Sequence, residues 1–256
     1  MFRHQGRGRN YIHNLKLASI LSCVAGLVNI TGVLAVSTLT TNVTGHFAFF
    51  SEQLILMNYK MALIYLLYIA FFLMGATVSG FIVELASKKK SHNAYIIPIC
   101  MESIILINVG LLPALFKAGP TLPTIISFAL LFAMGLQNAL VTKVSQSVVR
   151  TTHLTGLFTD LGIEISQLLF YREIAEKVKL HKSIFLKLMI IGGFFIGGVV
   201  GGFMFQYFKL KTLLLPASML LFALWYDHIL LKFYHLKRSL RPDEWVRLNS
   251  YFSLIT

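Results

Sequence analysis

Acidic residues are scarce in this chain: ten Asp and Glu stand against 23 Lys and Arg in 256 residues, and charged residues of both signs make up only 13%. A soluble domain carries about a quarter of its residues as charges, so the composition excludes an ordinary water-soluble fold. Cysteine is limited to Cys23 and Cys100, each alone inside an apolar stretch. That excludes a disulfide framework or a paired-cysteine metal site, and both read as small core residues. No HExxH, GxSxG or Walker sequence occurs, and Ser87-Lys88-Lys89-Lys90 meets the S-x-x-K pattern only through its lysine run. Nothing therefore points to an enzyme, and neither a cofactor nor a metal is expected.

What is present is hydrophobic surface, at 56% of the residues. Six long apolar stretches run over Leu15 to Val36, Met61 to Leu85, Ala94 to Phe116, Leu122 to Val144, Ile184 to Phe208 and Leu213 to Leu231. Each is long enough to cross a hydrocarbon layer of roughly 30 Å as a helix. The fold class expected is an all-α integral membrane protein. Residues 15–232 would form a single membrane domain, between a basic cytoplasmic tail at 1–14 and an interfacial or cytoplasmic tail at 233–256. The N-terminal charges Arg3, Arg7, Arg9 and Lys16 precede an apolar run too long for a signal-peptide core, so that run is read as the first span. The formal charge of +13 falls mostly at the ends of apolar stretches, where anionic lipid and membrane insertion explain it. The lipid bilayer is the expected partner, and nucleic acid is not.

Two shorter stretches, about Thr44 to Met57 and Thr155 to Tyr171, follow the first and fourth long ones, and each either spans or re-enters. The chain then reads as two halves, about 15–116 and 122–231, in the same order of elements. Thr40-Thr41-Asn42-Val43-Thr44-Gly45-His46-Phe47 matches Thr151-Thr152-His153-Leu154-Thr155-Gly156-Leu157-Phe158. Gly26-Leu27-Val28-Asn29 resembles Gly135-Leu136-Gln137-Asn138, Phe71-Phe72-Leu73-Met74-Gly75 echoes Phe194-Phe195-Ile196-Gly197-Gly198, and Pro98 echoes Pro216. Four matches in one order indicate an internal duplication. Cytoplasmic loops carry the excess of Lys and Arg. With the short stretches re-entrant and both termini cytoplasmic, 19 of the 23 basic residues fall inside, against 16 if all eight stretches span. Three spans per half would invert the second half relative to the first, a transporter design, whereas eight spans would make the repeats parallel.

Six of the ten acids, Glu52, Glu84, Glu102, Asp160, Glu164 and Asp227, lie in or beside apolar stretches. An acid at the bilayer centre costs roughly 2.5 to 3.5 kcal/mol, so two in one short stretch imply shielding by protein or a wet cavity. Asp160, Glu164 and Gln167 recur at i, i+4 and i+7, on one helical face, with Glu52 as a thinner counterpart. They are candidates for an ion site or a substrate path, as are Glu102, Asn29 and Asn138; the alternative is helices held together by buried hydrogen bonds. Glu84, near Lys88, and Asp227, near His228 and Lys232, read as interfacial or paired. Asn42 and Thr152 are candidate helix caps ahead of the Thr44-Gly45 and Thr155-Gly156 pairs. Helix starts inside the membrane would favour an anionic or polar group; alternatively, Thr-Gly lets the two short helices cross tightly. His46 and His153 flank these glycines without a metal-ligating partner. The run Gly192 to Gly202 stacks small residues for helix packing. Tyr171 to Lys182 reads as a short cytoplasmic helix with Glu173 and Lys177 paired, and the tail from Pro242, with Trp245, Leu248 and Phe252, as interfacial.

The stretch Gly135-Leu136-Gln137-Asn138-Ala139, with Val149-Arg150-Thr151-Thr152-His153-Leu154-Thr155-Gly156 and Thr159-Asp160-Leu161-Gly162, resembles the signature of the YoaK family. These are bacterial membrane proteins carrying the domain of unknown function numbered 1275. The resemblance extends over residues 15–232. The family usually shows an acid where this chain has Asn29 and an asparagine where it has His46. The resemblance implies a bacterial inner-membrane location but no established substrate. Two functions follow from repeats and buried acids: a secondary transporter or exporter of an unknown small molecule, in which the two Thr-Gly helix starts meet near the midplane, or a non-transporting scaffold or partner-binding subunit. A homo-oligomer is compatible with either.

Overall fold

The computed structural model describes residues 11–88, 95–115, 119, 121–145, 147–171 and 173–239. The predicted basic residues Arg3, Arg7, Arg9, Lys89 and Lys90, and the tail from Pro242, lie outside the described residues. Eight α-helices are described: α1 (Tyr11–Val36), α2 (Val43–Ile55), α3 (Tyr59–Lys88), α4 (Ile96–Leu115), α5 (Leu122–Val144), α6 (Leu154–Phe170), α7 (Ile174–Phe208) and α8 (Leu214–Ser239). A 3-10 turn, Lys209–Leu213, joins the last two. Among the described residues four helical runs are long and apolar enough to cross a membrane: Asn14–Val36, Tyr59–Lys88, Leu122–Val144 and the joined run Ile174–Asp227. Ile96–Leu111 is a shorter apolar helix. The chain divides into two compact units within α8, between Leu221 and Phe222. In the second unit the Phe222 ring lies near those of Trp225 and Tyr226.

One expected element differs. The short cytoplasmic helix at Tyr171 to Lys182 is not separate: it continues into the fifth apolar stretch as the 35 residues of α7. No Gly or Pro occurs between Ile174 and Lys187, so a change from polar to apolar side chains leaves the backbone ladder unbroken.

In the first unit α5 and α1 are central. Two thirds of the apolar window of α5 is buried (67%), half of that of α1, and only 17% of that of α3. Leu17, Leu21, Val24 and Val28 of α1 and Leu130, Met134 and Val141 of α5 form the core. The contacts fix the helix directions. Gln137 reaches the Leu21 carbonyl, and Thr38, just past α1, reaches Ser127, so α1 and α5 are antiparallel. Gly193, Gly197 and Gly201 of α7 meet Ser22, Cys23 and Leu27 in ascending order, so α7 runs parallel to α1. The glycine run is thus a packing face. Tyr68 against Phe128, Gly75 against Phe132 and Glu84 against Lys143 make α3 parallel to α5.

The two parallel crossings use the same atoms. A Cβ on Gly26 would strike the carbonyl of Phe194, and one on Gly197 that of Cys23; likewise Gly135 abuts the carbonyl of Phe72, and Gly75 that of Phe132. Glycine allows this approach because the backbones themselves touch. Gly75 therefore corresponds in position to Gly197 and Phe72 to Phe194, one residue off the match read from the sequence; the doubled Gly197-Gly198 permits either register.

Candidate functional site

After α1 the chain reverses at Ser37, which has a left-handed backbone (φ 54°), with Thr38 N–H returning to the Gly32 carbonyl at 3.2 Å. After α5 it reverses at Ser147 (φ 65°), whose N–H donates to the Thr142 carbonyl at 2.7 Å. A residue of this conformation just past a helix turns the chain back along it. Both returning segments do so with the same bond. The Thr41 hydroxyl donates to Asn29 Oδ1 at 3.0 Å, and the Thr152 hydroxyl donates to Asn138 Oδ1 at 2.6 Å. These two clasps lie about one turn from Gly26 and Gly135, the residues of closest helix approach. The second is the more buried, and Gln137 supplements it by donating from Nε2 to the Leu21 carbonyl (2.8 Å) and to Thr151 Oγ1 (3.4 Å). Gln137 Oε1 and Thr40 Oγ1 are buried with no hydrogen-bond partner.

From the clasps α2 and α6 start, each then folding back along a neighbour. Asn42 caps α2, its Oδ1 accepting from Gly45 N–H at 3.0 Å. α2 leans on α3 through buried His46, which bonds the Leu39 carbonyl at 2.7 Å and faces Tyr65 and Tyr68. At α6 the expected cap differs: His153 holds the N-cap position and makes no side-chain cap bond, and the Thr152 hydroxyl instead donates to Asn138. Outside the spanning helices, His153 is held below the usual histidine range by desolvation and by the nearby Arg150 charge.

The Thr-Gly starts do not meet. A Cβ on Gly45 would touch its own Asn42 and Leu39, and one on Gly156 would touch nothing; Thr44 and Thr155 are exposed. α2 is drawn onto α3 by His46, and α6 onto α7 by an ion pair. Lys187 Nζ lies 2.7 Å from Glu164 Oε1, which also accepts from the Ser183 hydroxyl at 2.7 Å, while Lys187 reaches Ser183 at 2.8 Å. Both charged side chains are mostly buried, 13% and 17% exposed. The predicted polar face of α6 is split accordingly: Glu164 turns to α7, Gln167 is half-buried, and Asp160 is exposed. Glu52 is exposed too, and Glu84 forms an exposed pair with Lys143 at 3.0 Å. Glu102 in α4 is fully buried, and its Oε1 has no partner. Lys187 and Ser183 belong to no motif that identifies them from sequence, and Gln137 stands in the Gly135–Ala139 signature without being marked there as a functional residue. The one available signal was that Gln137 directly precedes the candidate Asn138.

Apolar helices around a small set of buried polar residues define a membrane-embedded protein that is helical throughout its described elements. The chain belongs to the family described as Protein of unknown function (DUF1275), whose model matches residues 17–226, consistent with the YoaK resemblance. Neither a curated protein nor a solved structure matches it.

Proposed function

We propose that this protein is a secondary transporter or exporter of a small molecule in the bacterial inner membrane, built from two inverted halves with both termini cytoplasmic. The observation that carries this reading is the pair of clasps, Asn29 with Thr41 and Asn138 with Thr152, set on the antiparallel central helices α1 and α5. Helix directions support six spans. For α1 and α5 to be antiparallel, an even number of crossings must separate them; with α3 and the shorter apolar helix α4 taken as two crossings, this direction supports a re-entrant α2. Because α7 parallels α1, the same parity supports a re-entrant α6. Lengths agree, since 13 and 17 residues give about 20 and 25 Å of helix against a layer of roughly 30 Å. Discontinuous half-helices beside a symmetry-related pair of spans are where transporters bind cargo, so the substrate path runs along α1 and α5 past the two clasps. Asn29, Asn138, Gln137 and the clasp threonines present amide and hydroxyl groups there, which suits a polar cargo.

The second reading, a partner-binding subunit, is favoured by the outer face of α6, where Thr155, Thr159 and Asp160 are exposed. To separate the two, wild-type protein and Asn138→Leu would be expressed in a bacterial host, and medium and cytosol compared by untargeted mass spectrometry. Transport predicts at least one compound redistributed by the wild type and not by an equally abundant, folded variant. Identical profiles for both proteins and the empty host would remove the transport reading.

A further inference from the structure

Glu102 is used by nothing described so far. The residue is 1% exposed, and its Oε1 has no hydrogen-bond partner. Neither the ion pair of Glu84 with Lys143 nor that of Glu164 with Lys187 includes it. A carboxylate buried without a cation costs several kcal/mol, and such a group stays in the interior as the neutral acid. Among the described residues of α3, α5 and the 3-10 turn no cation faces it, and α8, which meets α4 where Leu214 touches Gly110, carries Tyr226 and Asp227 but no Lys, Arg or His between Leu214 and Asp227. α5 offers only Lys143, at its far end and engaged by Glu84. The 3-10 turn carries Lys209 and Lys211, both exposed, and touches α4 near Gly110, two turns from Glu102. On α3, Lys60 and Lys88 are exposed at the helix ends, and Tyr65 and Tyr68 are packed against His46.

Depth gives this carboxyl its meaning. α4 and α5 are consecutive packed helices, and Glu102 is about as far from their connection as Gly135, so it shares the level of the closest helix crossing. The hydroxyls of Ser103 beside it and Ser79 on α3 are also buried with no partner. A purely structural acid would be expected to have both oxygens bonded, because an unpaired buried polar atom is a cost with no return in stability. A group that exchanges a proton has a reason to be left underbonded.

We propose that Glu102 is a proton-binding site at mid-depth of the bundle, taking up and releasing one proton, and that this proton is the coupling ion of transport. The coupling rests on the transport reading; the proton site itself does not. The test is infrared spectroscopy of the full chain in lipid nanodiscs across a pH titration, wild type minus Glu102→Gln. The expected result is a carboxylic-acid carbonyl band in the wild type that is missing from the variant and disappears reversibly as pH rises. If no such band is present at any pH, or if the band does not respond to pH, the proposal is overturned. Should Glu102→Gln not fold, Glu102→Asp must move the band and preserve its titration. A titrating band without compound redistribution keeps the proton site and removes transport; redistribution with a silent band does the reverse.

Discussion

The bond network of Glu164, Ser183 and Lys187 predicts an asymmetric response to losing either charge. α6 packs against α7, so the network governs whether α6 stays docked. Lys187→Met leaves Glu164 buried with only the Ser183 hydroxyl. Removing one partner of a fully buried pair costs about 3–5 kcal/mol. With side chains 13% and 17% exposed, some solvent reaches the charge, and about 2–3 kcal/mol is expected. Glu164→Gln is milder, at about 1 kcal/mol, because the long lysine stem lets the freed ammonium reach the interface.

Hydrogen exchange of the α6 amides in nanodiscs reads this directly, since local opening is governed by the same free energy. At 1.4 kcal/mol per tenfold, Lys187→Met should accelerate α6 exchange about 30- to 150-fold, and Glu164→Gln about fivefold. The double variant should be less open than the two single effects sum to, with a coupling of at least ~1.5 kcal/mol. If Lys187→Met exchanges within about threefold of wild type, or if Glu164→Gln is the worse of the two, the ion pair does not hold α6 and the reasoning is wrong.

Three further outcomes follow from the geometry. Thr152→Val should destabilise by about 1–3 kcal/mol, because Asn138 loses a partner in a buried site, whereas Thr41→Val, beside half-exposed Asn29, should cost under ~1 kcal/mol; thermal unfolding in one detergent ranks them, and equal costs would contradict the burial difference. Gly26→Ala and Gly135→Ala put a methyl against a backbone carbonyl that cannot swing away, so each should lose ~2 kcal/mol or more, while Gly192→Ala, with nothing within 4 Å, should be neutral or slightly stabilising in the same assay. In a Cys-less background, cysteines at Ser37 and Asn58 should react with an impermeant thiol reagent on intact cells and one at Lys179 should not; labelling at Lys179 would invert the orientation.

The apolar stretches were readable because lipid demands a run of some twenty apolar residues from any spanning helix, and Leu122–Val144 appears with the bounds read from the sequence. Polarity is a poor guide to where a helix ends, which is why α7 absorbed the segment read as a separate surface helix. Local rules failed where the fold set the side chain to another use: Thr152 has the chemistry of a cap, but His153 holds the N-cap position, and Thr152 donates its hydroxyl to Asn138, folded against it by the chain reversal at Ser147. A helical wheel put Asp160 and Glu164 on one face, yet it contains no information on where α7 crosses, and Lys187 on that helix separates them.

The choice between six and eight spans shows the same limit from the other side. Counting Lys and Arg gave only a small preference, because each loop holds a few charges and the totals of the two arrangements differ little. Helix direction bears on that choice independently: antiparallel α1 and α5 favour a re-entrant α2, whatever charges its loops carry. Neither the Gln137 bond to the Leu21 carbonyl nor the Thr38 bond to Ser127, which set that direction, joins residues near in sequence. Crossing parity is thus a property of contacts between α1 and α5, and a sequence read segment by segment contains both helices without the contact that orients one against the other.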